Sequence, residues 1–297
     1  MQTSRGFEYG VIHFLAPEAG RLSEVIIRHL HIDKALLLQL LEFGAVYLAN
    51  QRITLHSNQQ VDDLLHIEIK QNDYLRVHTK PRRFPFFEMK NRIVFQNDHM
   101  LVVDKPAKLP VHASVDNLKE NLLAYLEAEL QQKLYITHRL DTATRGLLVI
   151  AKTTEYQTAF NFLIKNHGIQ KIYQAIVPEP GPEKTFLEHY MEPSPRSPKT
   201  VRSDSFVGGL ICQLKIREVK PSQYFGFVNL TVQLLTGRTH QIRAQLCAEG
   251  YPIRGDKIYG GQSVYEGDQI DLFASELSFV DPITNIEQHF HLSSRLE

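Results

Sequence analysis

Apolar residues recur at helical spacing twice near the start of the chain. Leu22, Val25, Ile26 and Leu30 form one stripe, and Leu36, Leu37, Leu40 and Leu41 form a second that Gly44 stops. Two short helices are predicted from these stripes. Residues 45–48 and 52–55 read as strands around a turn at Ala49-Asn50-Gln51, and 64–69 as a third. The stretch 80–87, Lys-Pro-Arg-Arg-Phe-Pro-Phe-Phe, breaks the pattern with two prolines. Beyond it, 93–96 and 100–104 flank an Asn97-Asp98-His99 turn as a hairpin, and 121–131 has a helical period. Residues 147–152 form an apolar strand; Thr153 or Thr154 can cap a helix through Lys165, and Gly168 can end it. Residues 169–177, 210–217 and 225–235 read as further strands, and 239–247 as a helix closed by Gly250. Few helices separate these strands, whereas a parallel sheet needs a crossover helix after nearly every one. The expectation is therefore α+β, with a mainly antiparallel mixed sheet.

The proline-containing stretch sets the predicted organisation: a small α/β unit over 1–75, a linker over 76–91 and a large domain over 92–297. A chain of 297 residues with 43% hydrophobic content has material for both cores and is not disordered. Its longest apolar runs, such as 147–151, fall far short of the roughly 18 residues that span a bilayer, so no membrane partner is expected. Arg5, Glu8, His13 and Glu18 interrupt the first twenty residues, unlike a secretory leader. Cys212 and Cys247 are too few for a disulfide framework or a four-cysteine zinc site, which points to a reduced, cytoplasmic compartment. The 33 basic and 33 acidic residues cancel, but unevenly along the chain. Between Lys199 and Lys257 there are nine Lys or Arg against four acids, and from Gln262 onward seven acids against Arg295 alone. Either a basic face exists on a neutral protein or the two segments cancel in space.

Two stretches carry candidate chemistry. In His138-Arg139-Leu140-Asp141-Thr142-Ala143-Thr144-Arg145-Gly146, a polar loop precedes the apolar strand at Leu147. Flanked by Arg139 and Arg145, Asp141 would stay ionised and could act as nucleophile or base; alternatively it bonds backbone N–H groups in an ordinary turn. In Leu235-Thr236-Gly237-Arg238-Thr239-His240-Gln241-Ile242-Arg243, Gly237 breaks a strand and Thr239 can start a helix. Such a helix start suits an anion, or it is a plain capped helix with a solvated Arg238 and a hydrogen-bonded His240.

Together with Asp98-His99-Met100-Leu101-Val102-Val103-Asp104-Lys105-Pro106-Ala107, Val111-His112, Lys171-Ile172-Tyr173-Gln174-Ala175-Ile176-Val177 and Gly250-Tyr251-Pro252-Ile253-Arg254-Gly255-Asp256-Lys257-Ile258-Tyr259-Gly260, these stretches resemble the RluA-type pseudouridine synthases, from Ile93 to Gly261. The N-terminal order of helix, helix, hairpin and strand resembles an S4-like RNA-binding domain, although only Arg28, Lys34 and Arg52 are basic there. The chain departs from the synthase pattern at Arg145, where a small hydroxyl residue is usual, at Lys108 in place of Gly and at Ala113 in place of Pro.

The resemblance implies an isomerase that converts uridines of structured RNA, ribosomal or transfer RNA, to pseudouridine. It implies a monomer with no metal, no nucleotide and no organic cofactor. It makes Asp141 the essential carboxylate, Tyr173 the aromatic beside the target base and Arg243 the basic partner of Asp141. Arg139 would fill the gap left by the extruded base, and Arg145, Arg238, His240 and Lys105 would contact RNA. Extruding a base costs a few kcal/mol, and stacking on an aromatic ring returns about 1 to 3. With no Trp in the chain, that role falls to Tyr173 and its Phe or Tyr neighbours. The competing readings are a non-catalytic RNA-binding or assembly protein on the same scaffold and a hydrolase of a nucleoside bond.

Overall fold

The computed structural model describes residues 10–55, 60–195, 197–265 and 269–293. The start of the chain, on which the leader reading rests, and Arg295 lie outside them. The chain divides into two compact units: Met1–Phe86 with His112–Ala124, and Phe87–Val111 with Tyr125–Glu297. Residues 112–124 thus fold with the N-terminal unit, although the sequence reading put them inside the larger domain.

The first unit contains strands β1 (Val11–Leu15), β2 (Gly20–Arg21), β3 (Val46–Leu48), β4 (Gln51–Arg52), β5 (Glu68–Ile69) and β6 (Tyr74–His78), and helices α1 (Leu22–Leu30) and α2 (Lys34–Glu42). Its main sheet runs in the order β1-β6-β3-β4. The two apolar stripes meet Val46, Leu75 and Val77 in one core. Asp33 starts α2 by accepting from the Leu36 N–H at 2.7 Å. Gly44 follows α2 with φ +65°, a turn in which a Cβ would collide with Leu118. Ala49 and Asn50 both take positive φ, as the tight β3–β4 hairpin requires. One expectation fails: most of 64–69 is not a strand, because Val61–His66 winds into a 3₁₀ turn held by reciprocal bonds of Gln60 and Asp63, leaving only β5 extended.

The second unit is built on an 11-stranded sheet. In chain order it adds β7 (Ile93–Gln96), β8 (Met100–Lys105), helix α3 (Leu122–Leu130), whose first turn belongs to the other unit, β9 (Tyr135–Ile136), β10 (Arg145–Ala151), α4 (Thr154–Lys165), β11 (Ile169–Pro178), β12 (Phe186–Met191), β13 (Val201–Arg202), β14 (Leu210–Pro221), β15 (Phe227–Leu234), α5 (Gln241–Ala248), β16 (Leu272–Val280) and β17 (Glu287–His291). The strand order is β13-β12-β14-β15-β11-β16-β10-β8-β7, with β17 on β16 and β9 on β10. Every pairing is antiparallel except β10 with β16. Helix α4 covers one face through Tyr156 and Phe160, packed on Met100, Val102, Leu147, Val149, Leu277 and Phe279. Ala244 of α5 packs with Met191, Cys212 and Tyr259. Among the described residues no helix is long and apolar enough to cross a membrane.

Candidate active site

Strand alternation decides which side chains share a face of the large sheet. Gly146 pairs with Lys105 on one side and with Ala274 on the other, and Ala274 also pairs with Tyr173. Lys105, Gly146, Ala274 and Tyr173 therefore lie on one face, opposite to Asp104 and Leu147. Gly146 is fixed by geometry: its φ is +114°, and a Cβ would lie 2.3 Å from the Ala274 carbonyl oxygen. The loop carrying Asp141 enters the sheet through this close crossing.

Arg243 organises the centre. It lies on α5, 3% exposed, and its Nε and Nη2 donate to Asp256 Oδ2 at 2.6 Å and Oδ1 at 2.9 Å. Its remaining nitrogen, Nη1, donates to Asp141 Oδ2 at 3.2 Å. Burial works against the charged guanidinium, but the hydrogen bonds and charges of Asp256 and then Asp141 raise its pKa above the ordinary arginine value. The Asp141 side chain stays 20% exposed, so the carboxylate is reachable while its partner is not.

His240 precedes α5 in the left-handed conformation, φ 57° and ψ 20°. Its Nε2 stands 3.9 Å from Asp141 Oδ2, and its Nδ1 lies 3.1 Å from the Tyr259 hydroxyl, which also accepts the Lys199 N–H at 2.7 Å. Burial lowers the His240 pKa against the opposing attraction of Asp141 and favours the neutral ring. Tyr173 is buried, and that burial, followed by the charge of Asp141, raises its phenol pKa. The loop before α5 is held by side-chain amides: Gln241 Oε1 accepts from Thr236 Oγ1 at 2.8 Å and from the Arg238 N–H at 3.0 Å.

Lys105 needs correction. Expected at the RNA, it is fully buried, and its Nζ donates to the carbonyls of Pro106 at 2.8 Å, Leu109 at 2.7 Å and Thr142 at 3.3 Å. It ties the 106–109 loop to the residue after Asp141. Burial pushes its ammonium down to about 7, partly offset by Asp141 and Asp104. Arg145 alternates with Gly146, so its side chain leaves β10 toward the face of Asp104, where its guanidinium lies 4.6 Å from the Phe273 ring centre. Lys108 keeps a glycine-like φ of +65° despite its side chain. Arg139 and Arg238 are exposed.

The sequence reading quoted Asp256 and Tyr259 without giving them a role. Their signal was an acid in a Gly-Asp turn shortly after a helix that carries a buried arginine. His138 is hydrogen-bonded, its Nε2 accepting the Val149 N–H at 3.2 Å.

Residues 99–248 match the model of the RNA pseudouridylate synthase family. The chain belongs to that family, and its relatives place it among the RluA-type members. It is 35% identical over 218 residues to RNA pseudouridine synthase 6, chloroplastic, of Arabidopsis thaliana, covering 65% of this chain and 46% of that protein. It is 29% identical over 234 residues to the ribosomal large subunit pseudouridine synthase D of Zymomonas mobilis, covering 72% of this chain and 70% of that one. The chain spans about half the length of the first curated relatives it matches. The human RNA pseudouridylate synthase domain containing 4 shares the fold, with a TM-score of 0.57 at 19% identity, over 70% of this chain and 90% of that one.

Proposed function

We propose that this protein isomerises uridine to pseudouridine in structured RNA, with large-subunit ribosomal RNA as the favoured substrate and Asp141 as the catalytic carboxylate. The observation that carries the reading is the reachable Asp141, held through a single oxygen by a buried Arg243 on the sheet face that also bears Tyr173. Isomerisation breaks the bond from C1′ to N1, turns the uracil and joins C1′ to C5. The C5 proton is lost and N1 gains one, so no atoms are added overall. Asp141 either attacks C1′ or removes a sugar proton, and both routes need a carboxylate as nucleophile or base with water kept from the reacting sugar. Tyr173 stacks on the turned base, Arg243 holds Asp141, and Arg139 occupies the gap left in the RNA. Arg238 contacts the substrate near His240. The protein works as a monomer, with 1–75 as an accessory RNA-binding domain.

The test maps pseudouridine across ribosomal and transfer RNA from cells with and without the gene, then restores the modification with purified protein. Loss at one ribosomal position, restored by wild type and not by Asp141→Asn, is the expected result. Release of free uracil would favour a hydrolase. Unchanged RNA in both pools would sink the enzymatic reading and favour the binding-protein alternative.

A further inference from the structure

The main sheet of the first unit has two unlike faces. One packs on α1 and α2. The other is set by register: Arg76 pairs with His13 on β1 and with Tyr47 on β3, Val11 pairs with His78, and Tyr47 pairs with Arg52. That face therefore gathers two arginines, two histidines, Tyr47 and Tyr74. Arg76 lies over the Tyr47 ring at 3.9 Å, and Arg52 at 5.3 Å on the same ring. Arg52 also donates to the Tyr47 hydroxyl and the Ser114 carbonyl. His13 and Tyr74 are hydrogen-bonded to each other.

Two polar atoms on this face lack partners among the described residues. Arg76 Nε and His78 Nε2 are both buried without a hydrogen bond, and His78 is 8% exposed. A buried polar atom left unpaired costs about 1–3 kcal/mol and calls for a water, an ion or a ligand group. Asp116, whose charge reaches His78, is already taken by the backbone and side chain of Arg82. The helical side also holds one unpaired buried nitrogen, His29 Nε2, and differs in how its cations are placed. Arg28 is paired with Glu18, and Arg21 lies near Glu24 and Glu68, so both helix-side arginines already face carboxylates.

Resting on the reading that the substrate is RNA, we propose that the first unit grips the RNA phosphate backbone through this sheet face, with Arg76 as its principal cation, and not through its helices. Charge complementarity selects the occupant: guanidinium and imidazole donors match phosphate oxygens. Removing one phosphate-contacting cation weakens binding across sequences and makes the salt dependence shallower by about one unit of slope.

The experiment measures binding of the full chain to a transcribed large-subunit ribosomal RNA over a range of salt. Arg76→Gln, which keeps a planar group over Tyr47, is compared with Arg76→Lys and with the double variant Arg28→Gln, Lys34→Gln. The expected result is several-fold weaker binding and a shallower slope for Arg76→Gln, restored slope for Arg76→Lys, and wild-type behaviour for the double variant. Unchanged slope in a folded Arg76→Gln overturns the proposal, as does a slope loss confined to the helix double variant. Binding is read without turnover, so failure of the isomerase reading shows separately, as tight salt-dependent binding with no pseudouridine formed.

Discussion

Arg243 touches two carboxylates, and replacing each by its amide should have opposite consequences. Asp256 is 1% exposed and takes both arms of the Arg243 fork, at 2.6 and 2.9 Å. Asp256→Asn leaves a buried guanidinium facing an amide that supplies one acceptor and no charge. Breaking a buried pair in this way costs about 3–5 kcal/mol, and the surviving acceptor puts the loss near the lower end. For a unit of this size about 3 kcal/mol corresponds to a fall in Tm of roughly 6–12 °C. Asp141 is 20% exposed and receives one contact at 3.2 Å from an arginine that Asp256 already neutralises. Asp141→Asn should change stability by less than about 1 kcal/mol.

Activity should divide the other way in kind, if not in size. Asp141→Asn removes the reactive carboxylate and lowers pseudouridine formation by orders of magnitude in a folded protein whose RNA affinity survives. Asp256→Asn lowers activity through a misplaced Arg243 and a less stable fold. The assay pairs thermal unfolding with single-turnover pseudouridine formation on the mapped RNA for both variants. Near-normal turnover by Asp141→Asn, or a Tm loss larger than that of Asp256→Asn, would refute the assignment of chemistry to one carboxylate and support to the other.

Arg145→Ser should keep full turnover, since strand alternation sends its side chain away from the face of Tyr173, and the lost Phe273 contact should cost about 0.5–1 kcal/mol; complete loss of turnover would show that Arg145 works in the site. Lys108→Gly relieves a left-handed residue and should be neutral to stabilising by about 1 kcal/mol in urea unfolding, because the relief of 1–2 kcal/mol exceeds the added chain entropy; a clear loss would show that the Lys side chain makes a stronger contact than the strain it brings. Lys105 binds its proton up to about 7 when folded and up to 10.5 when unfolded. The unfolded chain therefore carries the extra proton between those values, and stability gains a contribution as pH rises from 7 toward 10.5. Lys105→Met should flatten that part of the stability profile, and an unchanged slope would contradict the buried, partly neutral ammonium.

The helices and most strands of the large sheet were legible because their apolar periods are regular, and the α4 cap at Thr153 could be read from one hydroxyl. Strands β1, β2, β6, β9, β12, β13, β16 and β17 were missed. In β16, Ser275, Glu276 and Ser278 blur the pattern of a strand with partners on both sides, and β6 is a five-residue alternation after a turn. The site was legible as residue types. Its wiring was not, because the carboxylate that fixes Arg243 lies thirteen residues beyond it and is joined to it only by folding. Lys105 misled for a general reason: a lysine reads as a surface cation unless the three carbonyls that receive it are known.

Under the proposed function, a carboxylate that does chemistry beside an arginine faces a conflict. A bidentate pair would engage both carboxylate oxygens and draw electron density from each, leaving a poor nucleophile or base. Asp256 removes that conflict by occupying Nε and Nη2, the two nitrogens that form the fork. Only Nη1 remains for Asp141, and it meets Oδ2, the same oxygen that His240 Nε2 faces at 3.9 Å. Arg243 and His240 thus face one oxygen of the carboxylate, and on the proposed reading Oδ1 is the one that meets the sugar. The left-handed backbone of His240 belongs to the same arrangement, since strain of this kind persists where surrounding structure holds it. The Tyr259 hydroxyl supplies that hold at Nδ1, and the Lys199 N–H fixes the tyrosine in turn. On the proposed reading, Asp256 thus limits Arg243 to a single contact with Asp141 and leaves one oxygen of that carboxylate for the substrate.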